Sequence, residues 1–320
     1  MKKIMERRQL GRTELYTAPI VVGGNVFGWT LDEEESFKIL DECLDKGFNT
    51  LDTANSYSHW AEGNKGGESE SIIGNWMKKR GTRKKIDLIT KVGSAMGKGE
   101  KDISEKHILK EVDNSLKRLK TDVIDLYLTH WDDEKTPVEE TMRAYEKLVE
   151  AGKVRYIGAS NLSPERLTAS LQASETYGLP RYEVFQPGYN LYDRKEFEKG
   201  VASTCKAEGL GVITYYSLAS GFLTGKYKTE KDLDKSVRGQ GVKKYLGHRG
   251  KKILKALEEV SEKYNVSQAS IALAWLIHSP LVTAPIASAT KKSHIKAFVE
   301  AAALELSSED MKTLEEASAY

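Results

Sequence analysis

The sequence predicts a (β/α)8 TIM barrel formed as one domain over residues 1–320, on three observations. Eight short, β-branched and largely apolar runs recur along the chain, and amphipathic segments with helix-start and helix-stop residues separate them. No Gly-x-Gly-x-x-Gly fingerprint follows the first run. Strand–helix alternation repeated eight times favours closure into a barrel over an open sheet, and the missing fingerprint weakens the doubly wound alternative.

Taken in order, residues 5–15, with Gly11-Arg12 at their centre, read as a hairpin plugging the barrel bottom. The strand candidates are 19–24, 48–53, 86–92, 123–130, 155–160, 182–186, 211–215 and 281–286. Each is short and mostly apolar, as a parallel strand covered on its outer face must be. Between them, Asp32 and three glutamates open a helix at its electropositive end, and Lys46-Gly47 close it. A helix from Ser104 carries Ile108, Val112, Leu116 and Leu119 on one face. A third spans 139–150 and stops at Gly152, and Ser163-Pro164 caps and starts a fourth. Residues 226–252 interrupt the seventh unit with a long basic loop. In a barrel, such a loop lies on the catalytic face.

Composition removes several function classes. The 49 basic and 47 acidic side chains leave a net charge of +2, which gives no reason to expect nucleic acid or a membrane surface as partner. The first residues mix both charge signs and lack the apolar core of a signal peptide, and no apolar run is long enough to span a bilayer. Two cysteines, Cys43 and Cys205, lie far apart in helical segments and read as reduced packing thiols of a cytoplasmic protein. No metal site is expected: His130 has Asp132 and Asp133 beside it, but no second histidine ends a strand.

Barrel chemistry sits at the carboxyl ends of the strands. The second strand ends at Asp52 with Tyr57 five residues on, the third at Lys91 and the fourth at His130. Each has an ordinary structural reading when taken singly: a turn or cap, loop packing, a snorkelling lysine, a satisfied histidine. Their joint placement at successive strand ends points instead to chemistry. An ammonium beside a phenol is expected to lower its pKa from about 10, a nearby carboxylate would keep that ammonium charged, and a neutral imidazole can orient a carbonyl oxygen.

The stretches around these residues resemble the aldo-keto reductase superfamily. They are Leu51-Asp-Thr-Ala-Asn-Ser-Tyr57, Gly67-Glu-Ser-Glu70, Ile89-Thr-Lys-Val92, Asp125-Leu-Tyr-Leu-Thr-His130, Gly152-Lys-Val-Arg-Tyr-Ile-Gly-Ala-Ser-Asn161, Phe185-Gln186 and Leu218-Ala-Ser-Gly-Phe-Leu-Thr-Gly-Lys226. The similarity runs through nearly the whole chain and looks closest to the bacterial branch that also resembles potassium-channel beta subunits. It implies an NADPH-dependent reductase of a small-molecule aldehyde or ketone, with Tyr57 as general acid, Lys91 and Asp52 tuning it, and His130 orienting the carbonyl. By the same resemblance Ser160, Asn161 and Gln186 would bind the nicotinamide carboxamide, and Tyr215 would stack on its ring. Tyr216, Ser217, Leu218, Ser220 and Gly221 would follow the pyrophosphate, with Lys226 and Arg238 near the phosphates and the long loop acting as a clasp.

The chain departs from the family pattern at two places. The seventh unit reads Tyr215-Tyr216-Ser217-Leu218 where the family often has a proline. The eighth reads Ala287-Ser288-Ala289-Thr290, without the arginine often associated with the adenosine phosphate. Ser288, Thr290, Lys291 and His294 remain as candidate contacts, so NADPH is the expected cofactor and NADH stays open. Phe27, Trp29, Trp60 and Trp131, in loops after the first, second and fourth strands, are candidate walls of an apolar substrate pocket. Asp132, Asp133 and Glu134 add negative charge nearby, which argues against an anionic substrate. The alternative function is a cofactor-sensing regulatory subunit with slow or no turnover. The sequence sets neither the physiological carbonyl nor the oligomeric state.

Overall fold

The computed structural model describes residues 5–97 and 99–320. Eight parallel strands close into a barrel: β3 (Val21–Gly23), β4 (Thr50–Asp52), β5 (Asp87–Val92), β6 (Ile124–Thr129), β7 (Val154–Ser160), β8 (Tyr182–Gln186), β9 (Gly211–Thr214) and β10 (Ala284–Ala287), with β10 pairing β3 to complete the ring. Every strand expected from the sequence is present; most are trimmed at one or both ends, whereas β8 keeps its expected bounds and β7 begins one residue earlier. Preceding them, β1 (Arg8–Gln9) and β2 (Tyr16–Thr17) form an antiparallel hairpin. It reaches two residues beyond the expected 5–15 because Tyr16 and Thr17 supply its second strand. Gly11, at φ +60°, lets the hairpin tip press on the barrel: a Cβ there would meet the Glu183 carbonyl oxygen at 2.2 Å. Leu10 and Leu15 then plug the barrel interior.

The helices follow from local signals. In α1 (Glu33–Asp45) Asp32 and Glu35 make a reciprocal capping box. Serine side chains cap α3 (Glu105–Leu119) and α5 (Pro164–Tyr177), the latter with proline in its first turn. Helix α4 (Val138–Glu150) buries Met142, Tyr145 and Leu148 against the sheet. Between β4 and β5 lies α2 (Glu68–Arg80), and the carboxyl-terminal half adds the short α6 (Lys195–Lys199) and α7 (Ala202–Ala207), then α8 (His248–Tyr264), α9 (Gln268–His278), α10 (Lys292–Ala303) and α11 (Ser308–Ala317). The expected long loop over 226–252 is shorter and more ordered than the sequence suggested. Two 3-10 segments, Glu230–Lys235 and Gly239–Tyr245, lie within it after a third at Ala219–Thr224, and α8 begins at His248.

Strand periodicity positions the site. Successive side chains alternate between the helix layer and the barrel interior. Val21, Ile89, Leu126, Leu128, Val184, Ile213, Ala284 and Ile286 form the interior core. Two residues further along the same inward rows lie Lys91 after Ile89, His130 after Leu128, Gln186 after Val184, Tyr215 after Ile213 and Ser288 after Ile286. The inner face is therefore apolar below and polar at the carboxyl-terminal mouth.

Candidate active site

At the mouth, Lys91 is fully buried and its three ammonium protons are all used. Nζ donates to Asp52 Oδ2 at 2.7 Å, to the Thr53 carbonyl at 2.8 Å and to the Tyr57 hydroxyl oxygen at 2.8 Å. The Tyr57 hydroxyl in turn donates to Asp52 Oδ2 at 3.2 Å, and Gln186 Nε2 donates to Asp52 Oδ1 at 2.9 Å. The imidazole of His130 lies with its ring centroid 5.9 Å from that of Tyr57. The four residues singled out at the strand ends thus meet in one place.

Their electrostatics are set mainly by burial. Desolvation, then the ammonium of Lys91, push the His130 pKa well below 6.5, so the imidazole is neutral at neutral pH. Burial lowers the Lys91 pKa, and the Asp52 carboxylate works against that. Tyr57 differs from the sequence expectation. Burial first, and the Asp52 carboxylate second, hold its pKa well above 10 rather than below it. The phenol keeps its proton in this setting, and the 2.8 Å bond from Lys91 becomes valuable when the oxygen gains negative charge.

A second network crosses the ends of β7 to β9. Ser160 Oγ donates to the Gln186 carbonyl at 2.8 Å, and Asn161 Nδ2 donates to the His130 carbonyl and to Ser160 Oγ, each at 2.9 Å. The Tyr215 hydroxyl donates to Asn161 Oδ1 at 2.7 Å. Beyond it the backbone turns left-handed at Tyr216, Ala219, Ser220 and Gly221. Gly221 holds φ +93°, and its missing Cβ leaves room for the end of the Lys226 side chain, which would otherwise lie 3.1–3.2 Å away. Arg238 stacks its guanidinium 4.9 Å above the Trp29 ring and points Nη2 at Asn25 Oδ1 at 3.4 Å, which also accepts from Ser288 Oγ at 2.7 Å.

One cavity of about 990 Å³ joins these groups. Asp52, Tyr57 and His130 line it, while Lys91 acts from behind the wall. Ser160, Asn161, Gln186, Tyr215, Tyr216, Ser217 and Leu218 continue the lining. Ser220, Gly221, Lys226, Arg238, Ser288, Thr290 and His294 complete its far end. Trp60, Trp131 and Tyr216 are exposed at the rim. Two expected pocket residues are placed elsewhere. Phe27 is 1% exposed and belongs to the outer core, and Trp29 stands behind the lining, packed edge-on against Trp60. Both lie in a tight turn after β3, where Val26, Thr30 and Leu31 face the cavity instead. The acidic run after His130 also turns away. Asp132 is clamped by Arg166 at 2.7 and 2.8 Å, and Asp133 accepts from Thr136 and the Ile103 backbone, so the argument against anionic substrates loses its basis.

The sequence reading missed Asn25, two residues past Gly23 on the inward row. It also missed the buried ion pair behind the site: Glu70 accepts from Arg118 at 2.6 Å and from Thr90 at 2.5 Å. The quoted Gly67-Glu-Ser-Glu70 stretch was the signal for the second. Among the described residues no group of three or more His, Cys, Asp or Glu side chains could hold a metal ion, and no helix is long and apolar enough to cross a membrane. Cys43 and Cys205 are buried free thiols, pushed up to about 12 by desolvation.

The model of the aldo/keto reductase family matches residues 19–319. The chain belongs to that family. YrpG, an uncharacterized oxidoreductase of Bacillus subtilis, is 34% identical over 97% of this chain and 95% of its own length. The aldo-keto reductase YhdN of the same organism is 32% identical over 92% and 86%. A probable voltage-gated potassium channel subunit beta of Oryza sativa is 33% identical over 91% and 89%. Membership makes this chain an oxidoreductase of a family that generally uses nicotinamide cofactors. The cavity's donor set fits such a dinucleotide. Amide and hydroxyl groups lie beside the Tyr57 cluster, a left-handed backbone turn follows, and Lys226, Arg238 and His294 lie at the far end.

Proposed function

We propose that this aldo-keto reductase, acting as one barrel domain over the whole chain, reduces aldehydes or ketones to alcohols with NADPH. The observation that carries this reading is the Tyr57 hydroxyl, held 2.8 Å from a lysine that is itself 2.7 Å from a buried carboxylate, at the mouth of a cavity that ends in cations. Asn161 and Gln186 would hold the carboxamide, Tyr215 the ring face, and Lys226, Arg238, Ser288, Thr290 and His294 the phosphate-bearing end. A bound dihydronicotinamide would supply the hydride.

The protein's own residues do the rest. Neutral His130 donates a hydrogen bond to the carbonyl oxygen and fixes its direction. Tyr57 protonates that oxygen as negative charge develops on it. Lys91 stabilises the phenolate left behind, and Asp52 keeps Lys91 charged inside an apolar wall. Trp60 and Trp131 at the rim supply apolar contact for the carbonyl's substituent, and the two buried free cysteines suit a reducing, cytoplasmic compartment.

Following loss of NADPH absorbance with a panel of neutral aldehydes tests the reading. Tyr57→Phe should lower kcat by two to three orders of magnitude, in line with loss of a general acid (typically ~10²–10⁴-fold), with the Kd for NADPH within about threefold of the parent. Near-parental turnover by this variant would refute the proton-donor assignment. The similarity to channel beta subunits supports a second reading, a cofactor-sensing subunit, for which the same assay would find NADPH binding without turnover.

A further inference from the structure

Helix α10 carries cations of two kinds. Those facing outward are paired: Lys292 reaches Glu42 at 3.3 Å and Lys296 reaches Glu300 at 3.5 Å. Those at the cavity are not. Among the described residues no ion pair joins Lys226, Lys291 or His294 to a carboxylate, although all three line the same end of the cavity. An uncompensated set of this kind, contributed by two separate segments, fits a dianionic phosphate group.

Within the set His294 is the one that can change charge near neutral pH. Its Nδ1 accepts from the Thr290 backbone N–H at 3.2 Å, which leaves the ring proton of the neutral form on Nε2. Burial, then the ammonium groups of Lys226 and Lys291, lower its pKa from 6.5. Of the other elements packed here, the facing end of α9 contributes Ser267 and Ala269, and α1 brings two carboxylates: Glu35, which lines the cavity and accepts from the Asp32 backbone N–H, and Glu42, which is engaged by Lys46 and Lys292. A phosphate set between the two lysines would cancel their repulsion of the imidazolium and accept from Nε2–H, while the proton taken up on Nδ1 exchanges the bond from the Thr290 backbone N–H for one to the Thr290 hydroxyl oxygen, 3.5 Å away.

We propose that His294 determines cofactor choice: it takes up a proton when a 2′-phosphate enters this end of the cavity, so preference for the phosphorylated over the unphosphorylated nicotinamide dinucleotide strengthens as pH falls from 8 to 6. This rests on the cofactor reading above and adds the residue and the sign of its pH dependence. The 2′-phosphate itself loses charge near pH ~6, which acts in the opposite direction, so a variant with a permanent cation is the needed reference.

The test measures Kd for NADPH and NADH on the full chain at pH 6, 7 and 8 and constant ionic strength, by quenching of tryptophan fluorescence. In the parent protein the ratio Kd(NADH)/Kd(NADPH) is expected to be roughly fivefold or more higher at pH 6 than at pH 8. In His294→Arg the ratio should be flat or fall slightly towards pH 6, and in His294→Gln it should be low throughout. Calorimetry in two buffers of different ionisation enthalpy should show proton uptake with NADPH in the parent and none in His294→Arg. A ratio that does not change with pH in the parent, or that changes equally in His294→Arg, overturns the role of His294 while leaving the cofactor site standing. Failure of both dinucleotides to bind would overturn the functional reading as well.

Discussion

Lys91→Met removes a cation from the most enclosed part of the molecule, and its consequences separate structure from chemistry. The substitution keeps the side-chain length and deletes three hydrogen bonds, to Asp52, the Thr53 carbonyl and Tyr57. Asp52, 1% exposed, is left with donors from Gln186 and Tyr57 only. Breaking a buried ion pair on one side typically costs ~3–5 kcal/mol, because the surviving charge stays desolvated. Gln186 and Tyr57 still donate to the carboxylate, so the lower end, about 3 kcal/mol, is expected in urea unfolding at pH 7. For catalysis, a charged hydrogen bond to the developing phenolate is worth roughly 1.5–3 kcal/mol, which sets a floor of about 10- to 150-fold on the fall in kcat. The double variant Lys91→Met/Asp52→Asn removes the stranded charge and should recover at least half of the lost stability. Its kcat should stay as low as that of the single variant, since nothing in it restores a cation beside the Tyr57 oxygen. Parallel recovery of stability and turnover in the double variant would refute the reasoning, because Lys91 would then matter only as scaffold.

Asp87, at the opposite end of β5, is pushed up to about 6 by burial and by Asp125, against the pull of Arg155, Arg83 and Arg7. Its folded pKa exceeds the unfolded value of about 3.9, so its contribution to stability falls as pH rises between roughly 4 and 6 and stays low above that. Asp87→Asn should therefore stabilise the protein by roughly 1 kcal/mol at pH 7.5, after discounting for partial exposure, and by nothing at pH 4; equal gains at both pH values would show that the charge is not responsible. Phe27→Ala should lower stability by ~3–5 kcal/mol with KM for aromatic aldehydes little changed, whereas Trp60→Ala should do the reverse, raising KM several-fold at under about 1 kcal/mol of stability. Matched urea-melt and KM measurements decide both, and a KM shift confined to Phe27→Ala would place the pocket wall where the sequence first suggested.

How much was legible in the sequence follows from which interactions are local. Strand and helix positions rest on periodicity and caps a few residues apart, so all eight strands and the helix starts at Asp32, Ser104 and Ser163 could be read directly. The tetrad was legible for a related reason. Asp52, Lys91 and His130 stand at strand ends and so reach the mouth whatever they touch there, and Tyr57 follows in the loop five residues after Asp52. What failed depended on distant partners. Nothing near Asp132 signals that Arg166, 34 residues on, will clamp it. Nothing in the turn from Asn25 to Leu31 shows which of its apolar side chains faces the cavity. The length of the seventh loop was misjudged because 3-10 turns leave almost no periodic trace, and its basic residues also pair within it, as Lys235 does with Asp232.

The same geometry explains why a closed barrel can hold this cluster at all. A buried lysine and carboxylate would ordinarily destabilise a core, yet here each sits one pleat above a layer of aliphatic side chains that already seals the barrel. The cost of desolvation therefore falls on a shallow polar layer whose groups are nearly all mutually bonded, while Leu10, Leu15, Ile89, Leu126 and Leu128 keep water from reaching it from below. Water can enter only from the cavity side, where Tyr57 and His130 present their reactive atoms. A ligand that fills that cavity would complete the enclosure, and the strength of every charge interaction around Tyr57 would rise at the moment the phenol has to part with its proton.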